Sequence, residues 1–480
     1  MSGIMSRRIR LFKGVLLFLT LFLLNSCTIN PATGRKELVL LSMQQEFELG
    51  SKAYKDIVST YGIYRYKNLN AYVKSVGLRV VSHADLKIPY HFILLDSEAV
   101  NAFSTPGGYI YITRGILAYL NNEAQLATVI GHEAGHINAH HVASMISKQL
   151  LFNLGLAIAY SESKKFRRYI PLIGIAGNLL FLSFSREDEY QADYLDVKYA
   201  TLAGYDATQM AKFFDELMRY QSEKHYSLPE FLATHPSPPH RKEKIYREVR
   251  LWQSVARRKY YEIGRDRYLA HINGILFGKD KRYGYVEGNH YYHPAMRFEF
   301  RFPKGWSLSD TRRFILVYNP KVKGEFIKIT TSKVDIYTLA AKFSNRSPIK
   351  HISVNGFDAF EFSKVISENG VLFYKKGVFV RYGSTSFIFI AQSPLAVYRK
   401  DRFYLNMPMK TFKRLTDSSK IYVKNTYVKV VKVKRSCTFE SLLKQLGIKR
   451  KFYKTIYVMN NMYPDTLLAE GELVKVLIER

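Results

Sequence analysis

Cysteine is nearly absent. The 480 residues contain two, Cys27 and Cys437, too few for a disulfide framework, so the fold must rest on core burial. Long apolar runs are missing as well. Those at 14–24, 150–160 and 169–184 all fall short of the roughly 20 residues a membrane span needs, and the last two contain Gly and Asn. They are expected to be helices packed around the rest of the chain, with a re-entrant membrane hairpin as the alternative. No internal repeat recurs, the 34-residue helical period included, and no low-complexity linker divides the chain. Negative charge is scarce: 40 Asp and Glu stand against 72 Lys and Arg, a formal net charge of +32.

What is present is concentrated at Gly131-His132-Glu133-Ala134-Gly135-His136. Two histidines four apart project from one face of a helix and can grip one metal ion, and Glu133 beside them can take a proton from an attacking water. Neutral imidazoles suit zinc, one Zn2+ per chain, which needs a further protein ligand. Apolar residues at 124, 126, 127, 129, 130, 134, 137 and 142 predict that the segment sits within a buried helix, opened by a capping box of Asn122 and Gln125. His140 is expected to face solvent, and neither it nor His141 is needed to complete the metal site. Downstream, Glu189 and Asp193 are again four apart. They read either as a salt-bridged helix face or, paired with the first helix, as the third ligand (Glu189) and a carboxylate that holds a ligand histidine (Asp193).

His132-Glu133-x-x-His136 followed by Glu189-x-x-x-Asp193 in a Ser185-Arg186 context resembles the zinc metalloendopeptidases that include HtpX and the CAAX prenyl proteases. The likeness is greatest to their periplasmic lipoprotein members. Asn101-Ala102-Phe103 with Pro106-Gly107-Gly108-Tyr109 is similar to the family's strand leading to the active-site helix, and Thr234-His235-Pro236-Ser237 with Arg241 to its His-Pro-Ser…Arg segment. The resemblance covers about 28–250. It implies His132, His136 and Glu189 as zinc ligands, Glu133 as general base and Asp193 in support. His235 and Arg241 are implied as residues that steady the oxyanion or gate the open position, and His235 can equally be a turn histidine. Asn101, Gly108 and Tyr109 read as substrate-binding: alternation after Pro-Gly-Gly predicts a strand with an unpaired side for an extended peptide, or an ordinary edge strand.

The amino terminus reads as a lipoprotein signal over 1–26. Arg7, Arg8, Arg10 and Lys13 precede the apolar run, and Leu24-Asn25-Ser26-Cys27 resembles a bacterial lipobox from which only Asn25 departs. Cys27 would be the lipidated residue, and Thr28 after it favours an outer-membrane, periplasm-facing location; the rival is an uncleaved signal anchor. Behind such a signal the basic excess points to anionic lipid or lipopolysaccharide rather than nucleic acid, or simply to a general basic bias. The expected fold class is α+β. A mainly helical HExxH zinc-peptidase domain with a small β-sheet spans 27–255. A β-rich α+β domain spans 256–415 and resembles PsbP through Phe302-Pro303-Lys304-Gly305-Trp306. A small α+β module spans 416–480 and resembles LysM, with Ser436-Cys437-Thr438 in place of Gly-Asp-Thr. Asn355-Gly356 predicts a hairpin turn. The expected function is endopeptidase clearance of misfolded or stalled envelope polypeptides, and the alternative is a metal-bound adaptor with suppressed proteolysis.

Overall fold

The computed structural model describes residues 27–30, 34, 36–159, 184–224, 230–235, 240–368 and 370–480. The expected signal segment, most of the apolar stretch at 169–184, and Pro236 and Ser237 lie outside them. The fold is mixed α and β, in two compact units. One gathers residues 62–277 and 427–478 with the described residues up to 58; the other gathers 278–426 with 59–61 and 479–480.

In the first unit, two helices carry the chemistry. The first, α1 (Glu123–Asn138), opens where the Asn122 side chain accepts the Gln125 N–H at 2.8 Å. The reciprocal bond departs from the expected box: Gln125 Oε1 accepts from Asn121 N–H, at 2.6 Å. After α1 the chain turns at His140, φ 54°, and runs on as α2 (His141–Ala159). The predicted stripe therefore breaks before Val142, and the His132–His136 segment occupies the end of α1 rather than its middle. The third helix, α3 (Arg186–Leu202), starts at a capping box in which Ser185 and Asp188 satisfy each other's backbone N–H. α1 and α3 pack closely because α1 shows glycine to its neighbour. A Cβ on Gly131 would come within 2.4 Å of Asp196 Oδ1, and one on Gly135 within 2.9 Å of the Ala192 carbonyl. Helix α4 (Arg241–Ala256) packs on the other side of α3.

A three-stranded sheet flanks α1: β1 (His91–Leu95), β2 (Ala102–Thr105) and β3 (Tyr109–Thr113), in the order β1-β3-β2. This corrects the expectation of an unpaired side on the strand after Pro-Gly-Gly. β3 is central, parallel to β1 and antiparallel to β2. β1 arrives from across the helix Lys67–Val81, a pairing that local alternation does not reveal. The edge strand beside α1 is β2.

The domain boundaries are corrected too. Residues 427–478 do not stand apart from the catalytic unit: Val428, Phe439, Val474 and Val476 lie in the same apolar core as Leu126, Ile130 and Leu195. Strands Thr426–Lys432 and Leu473–Glu479 form one sheet with Leu276–Phe277. Within this core the buried Lys475 ammonium donates to the Ala118 and Leu120 carbonyls, at 2.9 and 2.8 Å, closing the end of the helix Arg114–Tyr119. Between the strands Thr426–Lys432 and Leu473–Glu479 lie the helices Phe439–Gln445 and Tyr453–Asn460.

The second unit holds a seven-stranded antiparallel sheet over residues 307–394 and a four-stranded one built from 285–301 and 413–414. Its strands include Phe298–Arg301, Phe326–Ser332, Val371–Tyr382 and Thr385–Pro394, in keeping with the expected β-rich character. Asn355 and Gly356, φ 47° and 86°, make the two-residue turn between Val354 and Phe357, as left-handed-tolerant residues must in such a hairpin. Phe298, Phe300, Phe387, Phe389 and Phe412 fill its core.

Candidate metal centre

Four ligand atoms, one each from His132, His136, Glu189 and His235, lie within 4.8 Å of one another, and all four residues are buried. The two α1 imidazoles bring their Nε2 atoms to 3.1 Å. Glu189, one turn into α3, places Oε2 3.5 Å from His132 Nε2 and Oε1 3.6 Å from His136 Nε2. His235, just past the helix Glu230–Thr234, turns Nδ1 to within 3.0 Å of Glu189 and 3.2 Å of His132 Nε2. Its ring lies between Phe231 and Phe184, and Phe184 also stacks on His136 with centroids 3.8 Å apart.

The outward nitrogens decide which atoms are free. His132 Nδ1 lies 3.0 Å from Asp193 Oδ1, and His136 Nδ1 lies 2.8 Å from His141 Nδ1. With protons on those two nitrogens, both Nε2 atoms are lone pairs facing each other beside a carboxylate. Such a set is stable only around a cation, so the residues fit a metal ion. Charge agrees. Burial favours the neutral form of Glu189, yet His235 and Arg241 hold its carboxyl well below the usual range; Asp193 is lowered likewise, against its burial, by Arg241. Burial works against a charged His132 too, but Asp193 and Glu189 overcome it and push the imidazole up to about 10, so without a metal a proton occupies this place. His136 falls well below its ordinary value through burial and the neighbouring His132.

Glu133 is fully buried beside the cluster, and among the described residues its two oxygens accept no hydrogen bond. His235 Nε2 lies 3.4 Å from Glu133 Oε1. Arg241 is placed differently from the sequence expectation. Its Nε and Nη2 grip Asp193 at 2.5 and 2.8 Å, and Nη2 lies 3.0 Å from Glu189, so it braces the carboxylates instead of standing over the ligand atoms as an oxyanion donor. Asp196, next along α3, is buried without a hydrogen-bond partner among the described residues, and burial raises its pKa well above the ordinary carboxylate value.

Two of the expected substrate-binding residues are committed to the sheet. Gly108, φ 88°, lets the chain pass where a Cβ would meet the Pro89 carbonyl at 2.2 Å, and its own carbonyl accepts the His91 N–H. Tyr109 begins the central strand β3. Asn101 does stand at the entry to the edge strand β2, its carbonyl accepting from the Thr113 N–H and hydroxyl. Cys27 begins a short strand, Cys27–Ile29, paired with Lys36–Leu38. His140 corrects another expectation: it is buried, 2.9 Å from Glu46, because the left-handed turn aims it inward. Sequence reading also passed over Gly131, Gly135, His141 and Phe184. The glycines at 131 and 135 were a legible signal of close helix approach; His141 and Phe184 carried none.

Residues 67–249 match the model of peptidase family M48. The chain is 29% identical over 225 residues to the beta-barrel assembly-enhancing protease of Escherichia coli, covering 44% of this chain and 45% of that one. It is 34% identical over 152 residues to the mitochondrial metalloendopeptidase OMA1 of Arabidopsis thaliana, covering 31% and 30%. The chain thus spans about half the length of the beta-barrel assembly-enhancing proteases it matches. Among solved structures, cyanobacterial PsbP from Synechocystis is 8% identical with a TM-score of 0.23, covering 27% of this chain and 94% of that one, a likeness too slight to fix a fold. The buried ligand set, the carboxylate beside it and the match through both helices lead to one conclusion: this chain carries a metallopeptidase domain of peptidase family M48.

Proposed function

We propose that the protein is a zinc-dependent endopeptidase of the bacterial cell envelope that cleaves unfolded or misassembled envelope and outer-membrane polypeptides. The observation that carries this is Glu133, a buried carboxylate without hydrogen bonds among the described residues, 3.4 Å from His235 in the buried cluster of His132, His136, Glu189 and His235. Zinc held by those three residues supplies Lewis-acid polarisation of the scissile carbonyl and makes water acidic enough to attack near neutral pH. Glu133 then takes the proton of the attacking water and delivers it to the leaving amine. Asp193 keeps the His132 ring in register, and Arg241 keeps Asp193 and Glu189 ionised. An extended substrate would add along the edge strand β2.

His235 Nδ1 lies among the ligand atoms, 3.2 Å from His132 Nε2, so in this reading the resting state is restrained. The test is proteolysis of an unfolded outer-membrane protein by the zinc-loaded chain beside Glu133→Gln. The substituted protein is expected to keep its metal and lose at least ~10²-fold in turnover. Equal cleavage by both would remove the role given to Glu133, and no cleavage by either would leave the adaptor reading.

The location follows from the lipobox-like segment: Cys27 carries the lipid, and the protein faces the periplasm from the outer membrane. Anionic lipid or lipopolysaccharide would neutralise the basic excess. Among the described residues no helix is long and apolar enough to cross a membrane. Acyl chains contribute about 0.8 kcal/mol per buried CH₂ to such anchoring. Cys27→Ser is expected to stop processing and lipidation, and an unmodified Met1 in the native protein would end the lipoprotein assignment.

A further inference from the structure

A chain of buried hydrogen bonds leaves the metal centre on the side away from Asp193. His136 Nδ1 meets His141 Nδ1 at 2.8 Å, His141 Nε2 meets Gln191 Oε1 at 3.0 Å, and Gln191 Oε1 receives Asn30 Nδ2 at 2.5 Å. The same Asn30 amide reaches Glu37 Oε1 at 2.7 Å. His136, His141 and Asn30 are at most 1% exposed, and Gln191 is 8% exposed. Four parts of the chain therefore converge: the end of α1, the start of α2, the start of α3, and the amino-terminal residues Asn30 and Glu37, beyond which the Leu40 N–H ties to α2 on Ser147 Oγ.

The protons in this chain can be assigned. For His136 Nε2 to offer a lone pair to a metal, Nδ1 must carry the ring proton and donate it to His141 Nδ1. His141 is then the acceptor there, so its own proton sits on Nε2 and donates to Gln191 Oε1. That oxygen is an acceptor only, and it is fixed in place by a second donor, the Asn30 amide. Asp188 Oδ1, 3.8 Å from His141 Nε2, is too far to replace Gln191, and the other oxygen of that carboxylate is held in the α3 cap. One tautomer of each ring satisfies every contact, and it is the one in which His136 binds metal.

We propose that His141, Gln191 and Asn30 are positioning residues for the metal ligand His136, so that the seating of residues 27–38 sets how tightly the centre holds its metal. Asp193 on His132 and His141 on His136 are then equivalent supports, one a carboxylate braced by Arg241, the other an imidazole braced from the amino-terminal segment. Removing partners of this kind costs about 10–100-fold in metal affinity. The proposal rests on His136 being a ligand, and the experiment separates the two.

Zn2+ affinity of the full chain is measured by competition with a chromogenic chelator, together with the visible spectrum of the Co2+-loaded protein, for wild type and for His141→Ala, Gln191→Leu, Gln191→Glu and Asn30→Ala. Gln191→Glu keeps an acceptor toward both His141 and Asn30, so it should hold metal within about three-fold of wild type. Gln191→Leu and His141→Ala should lose about 10–100-fold and shift the cobalt bands, and Asn30→Ala several-fold. Wild-type affinity and spectrum in Gln191→Leu and Asn30→Ala would overturn the proposal. A loss in Gln191→Glu equal to that in Gln191→Leu would overturn it as well, by showing packing rather than hydrogen bonding at work. A wild-type chain that binds neither metal would refute the metal centre itself.

Discussion

His235 Nδ1 lies 3.2 Å from His132 Nε2, inside the group of atoms that faces the metal position. As a fourth ligand this third imidazole competes with substrate and water for the open coordination position that a catalytic zinc site requires. His235→Ala should therefore raise basal proteolysis without changing metal content, by about ten-fold if the imidazole holds the position nine-tenths of the time. The check is a peptide-cleavage rate beside metal analysis of the same sample. A lower rate at full metal loading would make His235 an oxyanion donor.

Glu189 and Asp193 sit one turn apart on α3 but meet different atoms, and their loss should differ in kind. Glu189→Ala removes a ligand atom, so metal retained after dialysis should fall well below one per chain. Asp193→Asn keeps the ligand set and should weaken affinity by only ~10–100-fold. Arg241→Ala leaves both carboxylates buried without their cation and should cost roughly 3–5 kcal/mol of stability in the metal-free protein. Metal titration and thermal melts of the three variants distinguish these outcomes.

Glu248 on α4 supplies a pH test. Burial first, and then the charge of Asp193, raise its carboxyl to about 7 in the folded protein. The folded state therefore binds a proton that the unfolded state releases between about pH 4.5 and 7, and stability falls as pH rises through that window. Glu248→Gln removes the penalty. It should raise Tm at pH 8 by the equivalent of about 1–2 kcal/mol, reduced from the full shift because the side chain is partly exposed, and leave Tm unchanged at pH 4. A gain equal at both pH values would assign the effect to packing.

Lys475 tests the assignment of residues 427–478 to the catalytic unit. Lys475→Ala orphans the Ala118 and Leu120 carbonyls and opens a cavity under the helix Arg114–Tyr119. The expected loss is about 2–4 kcal/mol, read as a lower Tm of the unit that holds the metal centre. A tail that melted alone, leaving that Tm in place, would restore the separate module.

Much of the site was legible in the chain because its determinants are local. The spacings His132–His136 and Glu189–Asp193 put paired side chains on single helix faces, and Ser185 and Asn122 mark where those helices begin. Alternation located the strands of the second unit for the same reason, and Asn355-Gly356 marked its turn. What tertiary structure alone decided is every relationship between distant segments. The pairing of β1 with β3 moved the open edge from Tyr109 to β2. The left-handed turn at His140 buried a histidine that composition would leave in water and swung His141 onto His136. Arg241, a lone cation in the sequence, was claimed by Asp193 because a buried guanidinium must find its carboxylates. Periodicity reports which face of an element is buried; which partner covers that face is set by packing the whole chain.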